Sequence, residues 1–289
     1  MDAGELIDMQ LPRLGYGCVR LSATRSLRHA QSLIDAALHN GINYFDVAPS
    51  YGKGYCEKVL GSCLASSEFR REDYFIATKL GAFQQSQSWL PVRLALRLKH
   101  LQRQMQHRAQ PQYPAKKTTG EATTAPIRPY EINLDQVHGS IQRSLRNLNA
   151  KYVDVLLLHE ALPEFLTTDA KDYIFSLRRD GVAKRIGIAA NGANYVHLSQ
   201  QELSDWDVLQ YELSPSHPSH FDFQIRFPNL HHIVHSCVGS SPQLTRQPRE
   251  AIQEALTHLP RGTVLFSSLQ RRHIEQNALA ALQPQPIQA

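Results

Sequence analysis

The chain has 289 residues, a formal net charge of +5 and a hydrophobic fraction of 42%. A chain of this length buries enough surface to fold without covalent staples, and its composition is that of a globular protein rather than a disordered or fibrous one. No stretch approaches the ~20 consecutive apolar residues of a membrane-spanning helix, so no membrane span is expected.

The charge is not spread evenly. Between Gln84 and Tyr130 there are eight basic residues (Arg93, Arg97, Lys99, Arg103, Arg108, Lys116, Lys117 and Arg128) and one acid, Glu121. That segment carries +7 and the remainder −2. The basic character belongs to one segment, so a nucleic-acid partner is not expected. Met1 to Gln10 is polar and acidic and has no apolar run of a secretory signal. Cys18, Cys56, Cys63 and Cys237 are scattered and form no C-x-x-C pair, which reads as reduced thiols in a cytoplasmic protein. Despite fourteen histidines, the helical stretches carry neither H-x-x-x-H nor H-E-x-x-H, and no metal site is expected.

Short apolar runs alternate with amphipathic stretches. Leu14 to Val19 reads as a strand. Leu27, Ala30, Ile34, Ala37 and Leu38 recur at helical spacing, and Gly41 follows as a stop. Ile42 to Val47 is a strand, Glu57 to Leu64 a helix and Tyr74 to Thr78 a strand. Leu134 to Leu148 is a helix with Val137, Ile141, Leu145 and Leu148 aligned. Tyr152 to Leu158 is almost continuously apolar, as in parallel strands buried on both faces. Asp172 to Arg179 is a helix and Arg185 to Ala189 a strand. Asp207 to Leu213, His232 to Cys237 and Thr263 to Phe266 are three more strands, and a helix runs from Arg271 to about Leu282.

Eight strands alternating with helices imply parallel βαβ units. Such units close into a (β/α)8 TIM barrel with its site at the C-terminal strand ends. An open doubly wound sheet is the alternative, and it would carry G-x-G-x-x-G after its first strand. Gly15-Tyr16-Gly17 is G-x-G only, so a single-domain barrel over residues 1–289 is expected. Residues 84–130 form a long insertion after the third strand, beyond the usual βα loop length. Residues 92–108 read as a basic amphipathic helix with Leu94, Leu98, Leu101 and Met105 along one face. Residues 109–129, rich in Pro, Thr and Lys, read as disordered.

Asp46 and Tyr51 lie at and just after the end of the second strand, Lys79 at the end of the third and His159 at the end of the fourth. In a barrel they converge on one rim. A phenol is a poor acid at neutral pH. A cation beside it favours phenolate, and an adjacent carboxylate keeps a buried lysine charged. Histidine orients the substrate oxygen or relays the proton. Together these residues describe a general acid for an oxygen that becomes an alkoxide.

At these residues the sequence resembles the aldo-keto reductase family. The resemblance rests on Gly41 to Ala48 with Tyr51-Gly52, Glu57, Leu60 and Gly61, on Ala77-Thr78-Lys79, and on Leu134 to His159. It continues through Gly181 to Gly187, Asp207 to Gln210 and Leu265 to Asn277. It spans nearly all the chain except residues 84–130. The resemblance implies Asp46, Tyr51, Lys79 and His159 as catalytic residues, with Tyr51 protonating a small-molecule carbonyl as hydride arrives from NADPH, or the reverse on an alcohol. It implies a cofactor track over Gly17, Cys18 and Asp46, with Gln210 on the nicotinamide carboxamide and His235 at the nicotinamide ring. Ser236 and Gly239 would follow at the phosphates, and Ser267, Ser268, His273, Gln276 and Asn277 at the adenosine end.

Two departures stand out. Where the family carries Ser-Asn after strand five, this chain has Ala189-Ala190-Asn191, so either Asn191 takes over one position late or the contact is lost. Ser267 replaces a common lysine, with Arg271, Arg272 and His273 nearby; NADPH is expected in preference to NADH. Two other readings are open: a non-catalytic nucleotide-binding subunit that docks a protein partner through its basic insertion, and a dehydratase that recycles its nucleotide. Trp89 in the insertion is placed near the site.

Overall fold

The computed structural model describes residues 10–81, 130–213, 222–238 and 247–282. Eight parallel strands form a closed barrel in sequence order. They are β1 (Leu14–Gly17), β2 (Tyr44–Asp46), β3 (Phe75–Leu80), β4 (Val153–His159), β5 (Ala183–Ala189), β6 (Val208–Glu212), β7 (His231–His235) and β8 (Thr263–Phe266). Closure is made by β1 pairing with β8, Leu14 opposite Val264 and Tyr16 opposite Phe266.

The helices are α1 (Leu27–His39), α2 (Tyr55–Ala65), α3 (Leu134–Leu148), α4 (Thr168–Arg179), α5 (Phe223–Arg226), α6 (Pro248–His258) and α7 (Arg271–Leu282). Local chemistry sets their ends. The Ser26 hydroxyl accepts from the His29 amide and starts α1. Asn133 and Gln136 form a capping box on α3, and Asn149 in the left-handed region ends it. The eightfold parallel barrel and the α3, β8 and α7 spans agree with the sequence reading.

The differences have local causes. β1 stops at Gly17, and Cys18–Ala23 folds into a 3-10 turn that buries Cys18 and Leu21. β3 runs on to Leu80 and so carries Lys79 within the strand. β7 stops at His235 because Ser236, at φ 67°, cannot continue an extended chain. α4 begins four residues earlier than expected, where Ala170 already starts its buried face. Helix α6 has no counterpart in the sequence reading. It starts on Pro248 with a Gln247–Glu250 capping box. Between β5 and β6 the described residues hold only a 3-10 turn, Gly192–Tyr195, and between β6 and β7 only the four-residue α5. The insertion, apart from Tyr130, and Gly239 lie outside the described residues. No helix among the described residues is long and apolar enough to cross a membrane.

The core has two layers. Between barrel and helices lie residues such as Phe45, Ile76, Leu156, Ile186 and Leu209. Inside the barrel lie Tyr44, Ala77, Leu157, Val208, Ile233 and Leu265. That inner set places the site. Side chains alternate along a strand, so two positions further on, Asp46, Lys79, His159, Gln210, His235 and Ser267 share the inner face at the C-terminal mouth.

Candidate active site

The centre of the mouth is an ion pair. Lys79 Nζ lies 2.6 Å from both carboxylate oxygens of Asp46 and 3.4 Å from the Val47 carbonyl. Both residues are buried, at 2% and 3% exposure. Tyr51 leaves the end of β2 on a tight turn and lies over the pair, its ring centroid 5.2 Å from Nζ. The ammonium lies near enough to the phenol to favour its ionised form. The turn is held by backbone that few residues adopt: Gly52 and Lys53 both have φ 58°, and Gly54 has φ 82°.

Burial opposes the charge on Lys79, but Asp46 and Tyr51 reverse the effect and hold its pKa above the ordinary lysine value. Burial raises the Tyr51 phenol above its usual value, and the Lys79 ammonium pulls against that rise. The expected cation is therefore in place, although the net direction is upward. Tyr51 is a protonated phenol at neutral pH, in contact with a permanent cation.

His159 ends β4 and meets Tyr51 edge-on, with ring centroids 5.9 Å apart. Its Nδ1 lies 3.4 Å from the Ser50 hydroxyl. Burial, then Lys79 and His235, press its pKa down to about 3. The imidazole is neutral, so it donates or accepts a hydrogen bond and does not hold a mobile proton at neutral pH. A base whose folded pKa lies below its unfolded 6.5 stabilises the fold fully above that value and less as pH falls towards 3. Thermal unfolding followed between pH 7 and 3 should therefore show a shallower decline in His159→Gln than in the wild type. Parallel curves would remove His159 as a buried neutral group.

Gln210 on β6 donates from Nε2 to Asp46 Oδ2 at 3.0 Å. Its Oε1 is buried with no partner. The carboxylate fixes this orientation, since the flipped amide would set oxygen against oxygen. The mouth thus presents an unsatisfied acceptor. Such a group costs about 1–3 kcal/mol unless a donor reaches it.

A second feature opens beside the end of β8. A cavity of about 550 Å³ is lined by Ser267, Ser268, His273, Gln276 and Asn277, with Arg20, Gln247 and Arg249 among its other walls. The Ser267 hydroxyl is buried without a partner. Gly17 lies against it, close enough that a Cβ there would stand 3.7 Å from Ser267 Cβ. These donors and cations fit a phosphate-bearing nucleotide, and the orphaned Gln210 oxygen fits a carboxamide NH2.

The structure thus gathers Asp46, Tyr51, Lys79, His159, Gln210 and His235 at one mouth, and the last-block residues at the adjoining cavity. It engages others elsewhere. Cys18 is fully buried, its thiol 3.6 Å from the Tyr16 carbonyl, and burial raises its pKa well above the usual thiol value. The Asn191 side chain accepts from the Ala193 amide as the cap of a 3-10 turn. Ser236 pairs with His235 Nδ1 at 2.9 Å, and the Ser268 hydroxyl accepts from the Gln270 amide. Sequence reasoning missed Arg20, Gln247 and Arg249. The signal for the last two was present: Pro248, then Ala251, Ile252, Ala255 and Leu256 at helical spacing. Arg20 carried none, because its place depends on the turn after β1.

Known proteins bear on this geometry. The chain is 28% identical over 216 residues to D-threo-aldose 1-dehydrogenase of a Pseudomonas species, covering 70% of this chain and 56% of that one. It is 25% identical over 183 residues to 6-dehydroglucose reductase of Agrobacterium fabrum, covering 63% and 50%. The chain therefore spans about half the length of the curated relatives it matches. Among solved structures it superposes on the holo form of an aldo-keto reductase from Bacillus halodurans with a TM-score of 0.65 at 18% identity, over 97% of this chain and 89% of that one. One from Brucella melitensis gives 0.57 at 18%, over 92% and 88%. At such identity these two speak for the fold. The family model for the aldo/keto reductases matches residues 13–240. That span holds seven of the eight strands and all four residues of the Asp-Tyr-Lys-His cluster, and this chain belongs to the aldo/keto reductase family.

Proposed function

We propose that the protein reduces an aldehyde or ketone to an alcohol with NADPH, or runs the reverse, using Tyr51 as the general acid. The observation that carries this reading is the buried Lys79, bonded to both oxygens of Asp46 and set under the Tyr51 ring. A bound dihydronicotinamide supplies the hydride. The protein supplies the proton and the shape. Tyr51 donates its phenolic proton to the substrate oxygen as negative charge grows there. Lys79 stabilises the phenolate left behind, and Asp46 keeps Lys79 charged. With Ser50 donating to Nδ1, His159 keeps its proton on Nε2 and offers it to the same oxygen. Gln210 Oε1 accepts from the carboxamide. Gly17, His235 and Ser236 are assigned to the rest of the nicotinamide and phosphate track, with Asn191 at its edge.

The preference for NADPH rests on the cavity walls. Arg20, Arg249 and His273 stand there, and no carboxylate is among its described lining residues. A ribose 2′-hydroxyl is gripped by an acid and a 2′-phosphate by cations. The four cysteines, all buried and none in a C-x-x-C pair, suit a reducing compartment, and we place the activity in the cytoplasm.

Quenching of tryptophan fluorescence on titration tests the reading. Micromolar NADPH affinity is expected, with NADH at least tenfold weaker, and Arg20→Ala with Arg249→Ala should narrow that ratio. An aldehyde screen follows. No affinity for either nucleotide would overturn the proposal and leave the partner-docking reading standing.

A further inference from the structure

Behind the strand that carries Lys79 lies an acid that the chemistry above does not use. Glu57, in the first turn of α2, is fully buried. Its Oε1 accepts from the Thr78 hydroxyl at 2.9 Å, and its Oε2 accepts from Asn147 Nδ2, on α3, at 3.0 Å. Burial raises its pKa, and these hydrogen bonds pull against the rise. We propose that Glu57 is a positioning residue: through Thr78 it fixes, from outside the barrel wall, the spacing of Tyr51 and Lys79 inside it. The proposal rests on the reductase reading.

The connectivity makes the case. Thr78 immediately precedes Lys79 on β3, so alternation turns Lys79 into the mouth and Thr78 out towards the helices. Tyr51 opens the turn that runs without a break into α2, and Glu57 follows six residues later. The Glu57–Thr78 bond therefore joins the root of the segment bearing Tyr51 to the strand bearing Lys79. One bond outside the wall matches one contact inside it.

Two further observations explain why such a bond is needed. Three consecutive residues after Tyr51 have positive φ, one of them the non-glycine Lys53. A turn of that kind persists only where its surroundings over-determine it. One turn past Glu57, α2 is also pressed onto α3. A Cβ on Gly61 would stand 2.5 Å from the Asn147 carbonyl oxygen, so Glu57 can reach Asn147 and Thr78 together. An apolar contact at this place would avoid the desolvation cost of a buried acid. It would slide, however, whereas a hydrogen bond with a fixed acceptor sets a distance.

Thr78→Val removes the hydroxyl and keeps the volume, and Thr78→Ser restores the hydroxyl. Four quantities are read for each: the unfolding midpoint, nucleotide affinity, kcat and KM separately, and the ultraviolet titration of the Tyr51 phenol. The titration is taken as the difference from the same protein carrying Tyr51→Phe. In Thr78→Val, kcat should fall by about 10- to 100-fold, the scale of an ångström's misplacement, with KM and nucleotide affinity little changed. The Tyr51 titration should move to higher pH as Lys79 withdraws, and Thr78→Ser should bring both back. Should Thr78→Val not fold, Thr78→Cys, a weaker and longer donor, carries the same test with a smaller shift in the same direction.

A folded Thr78→Val with unchanged kcat and unchanged Tyr51 titration would overturn the proposal. So would a Thr78→Ser that restores neither. The titration needs neither substrate nor nucleotide. A wild type that turns over no carbonyl compound would sink the reductase reading, and the titration would still decide the role of Glu57.

Discussion

Replacing Tyr51 with phenylalanine should lower kcat by about 100- to 10,000-fold, the range that a positioned general acid contributes, and leave nucleotide affinity near that of the wild type. The substitution deletes one oxygen. The ring stays, and with it the edge-on contact to His159 and the cation beneath its face. Tyr51 is only partly buried, and its ring faces the Lys79 ammonium across the mouth. A loss of activity without loss of fold is therefore expected. Stopped-flow reduction of an aldehyde at saturating nucleotide, with a parallel fluorescence titration, separates the two effects. Turnover within threefold of the wild type would remove Tyr51 as the acid.

Lys79→Met should damage both activity and stability. It leaves the Asp46 carboxylate buried, with the Gln210 amide as its remaining side-chain donor. Breaking a buried pair by removing one partner costs about 3–5 kcal/mol, a large share of the ~5–15 kcal/mol that holds an ordinary domain folded. Urea unfolding should show a lowered midpoint. The double variant Lys79→Met with Asp46→Leu removes both charges and should recover much of that midpoint, because apolar replacement of a buried pair is often neutral. It should recover no turnover. A double variant no more stable than the single one would show that the pair itself, and not the stranded charge, matters to stability. The pH sign is fixed as well. Lys79 has a folded pKa above its unfolded value. Its stabilisation is complete below the ordinary lysine pKa of about 10.4 and is lost only as pH climbs through the higher folded value. None of the decline on the acid side belongs to it.

Much of this site is legible in the sequence because strand periodicity does the work. Tyr44, Ala77, Leu157 and Val208 are interior residues, and adding two to each number yields Asp46, Lys79, His159 and Gln210. A reader who trusts the strands can place the mouth from that rule. Three kinds of information escape it. The link from Gln210 to Asp46 joins residues 164 apart, and no local pattern encodes which interior groups will face one another across the barrel. Cys18 sits at a strand end like the others, yet a 3-10 turn begins there and folds its thiol back on the chain. The resemblance singles out Glu57, but periodicity reads it as one polar residue in an amphipathic helix, since burial of an acid depends on donors that two other elements bring to it. Helix α6 escapes for a different reason: Ala251, Ile252, Ala255 and Leu256 keep helical spacing, but the face is short and half alanine, so it stands out little from its flanks.

The pairing of β1 with β8 has a consequence for how the protein is made. The first strand has no partner on one side until about 250 further residues have been synthesised, since Leu14 pairs with Val264. Until then the growing sheet has two open edges, and exposed edges invite pairing with other chains. The pocket at the seam, with Gly17 on one side and Ser267 on the other, does not exist before closure. A nascent chain can therefore hold the Asp46–Lys79 pair of neighbouring strands before it can hold the cavity beside β8, and chains cut short before Thr263 should accumulate as aggregates rather than as a weakened binder.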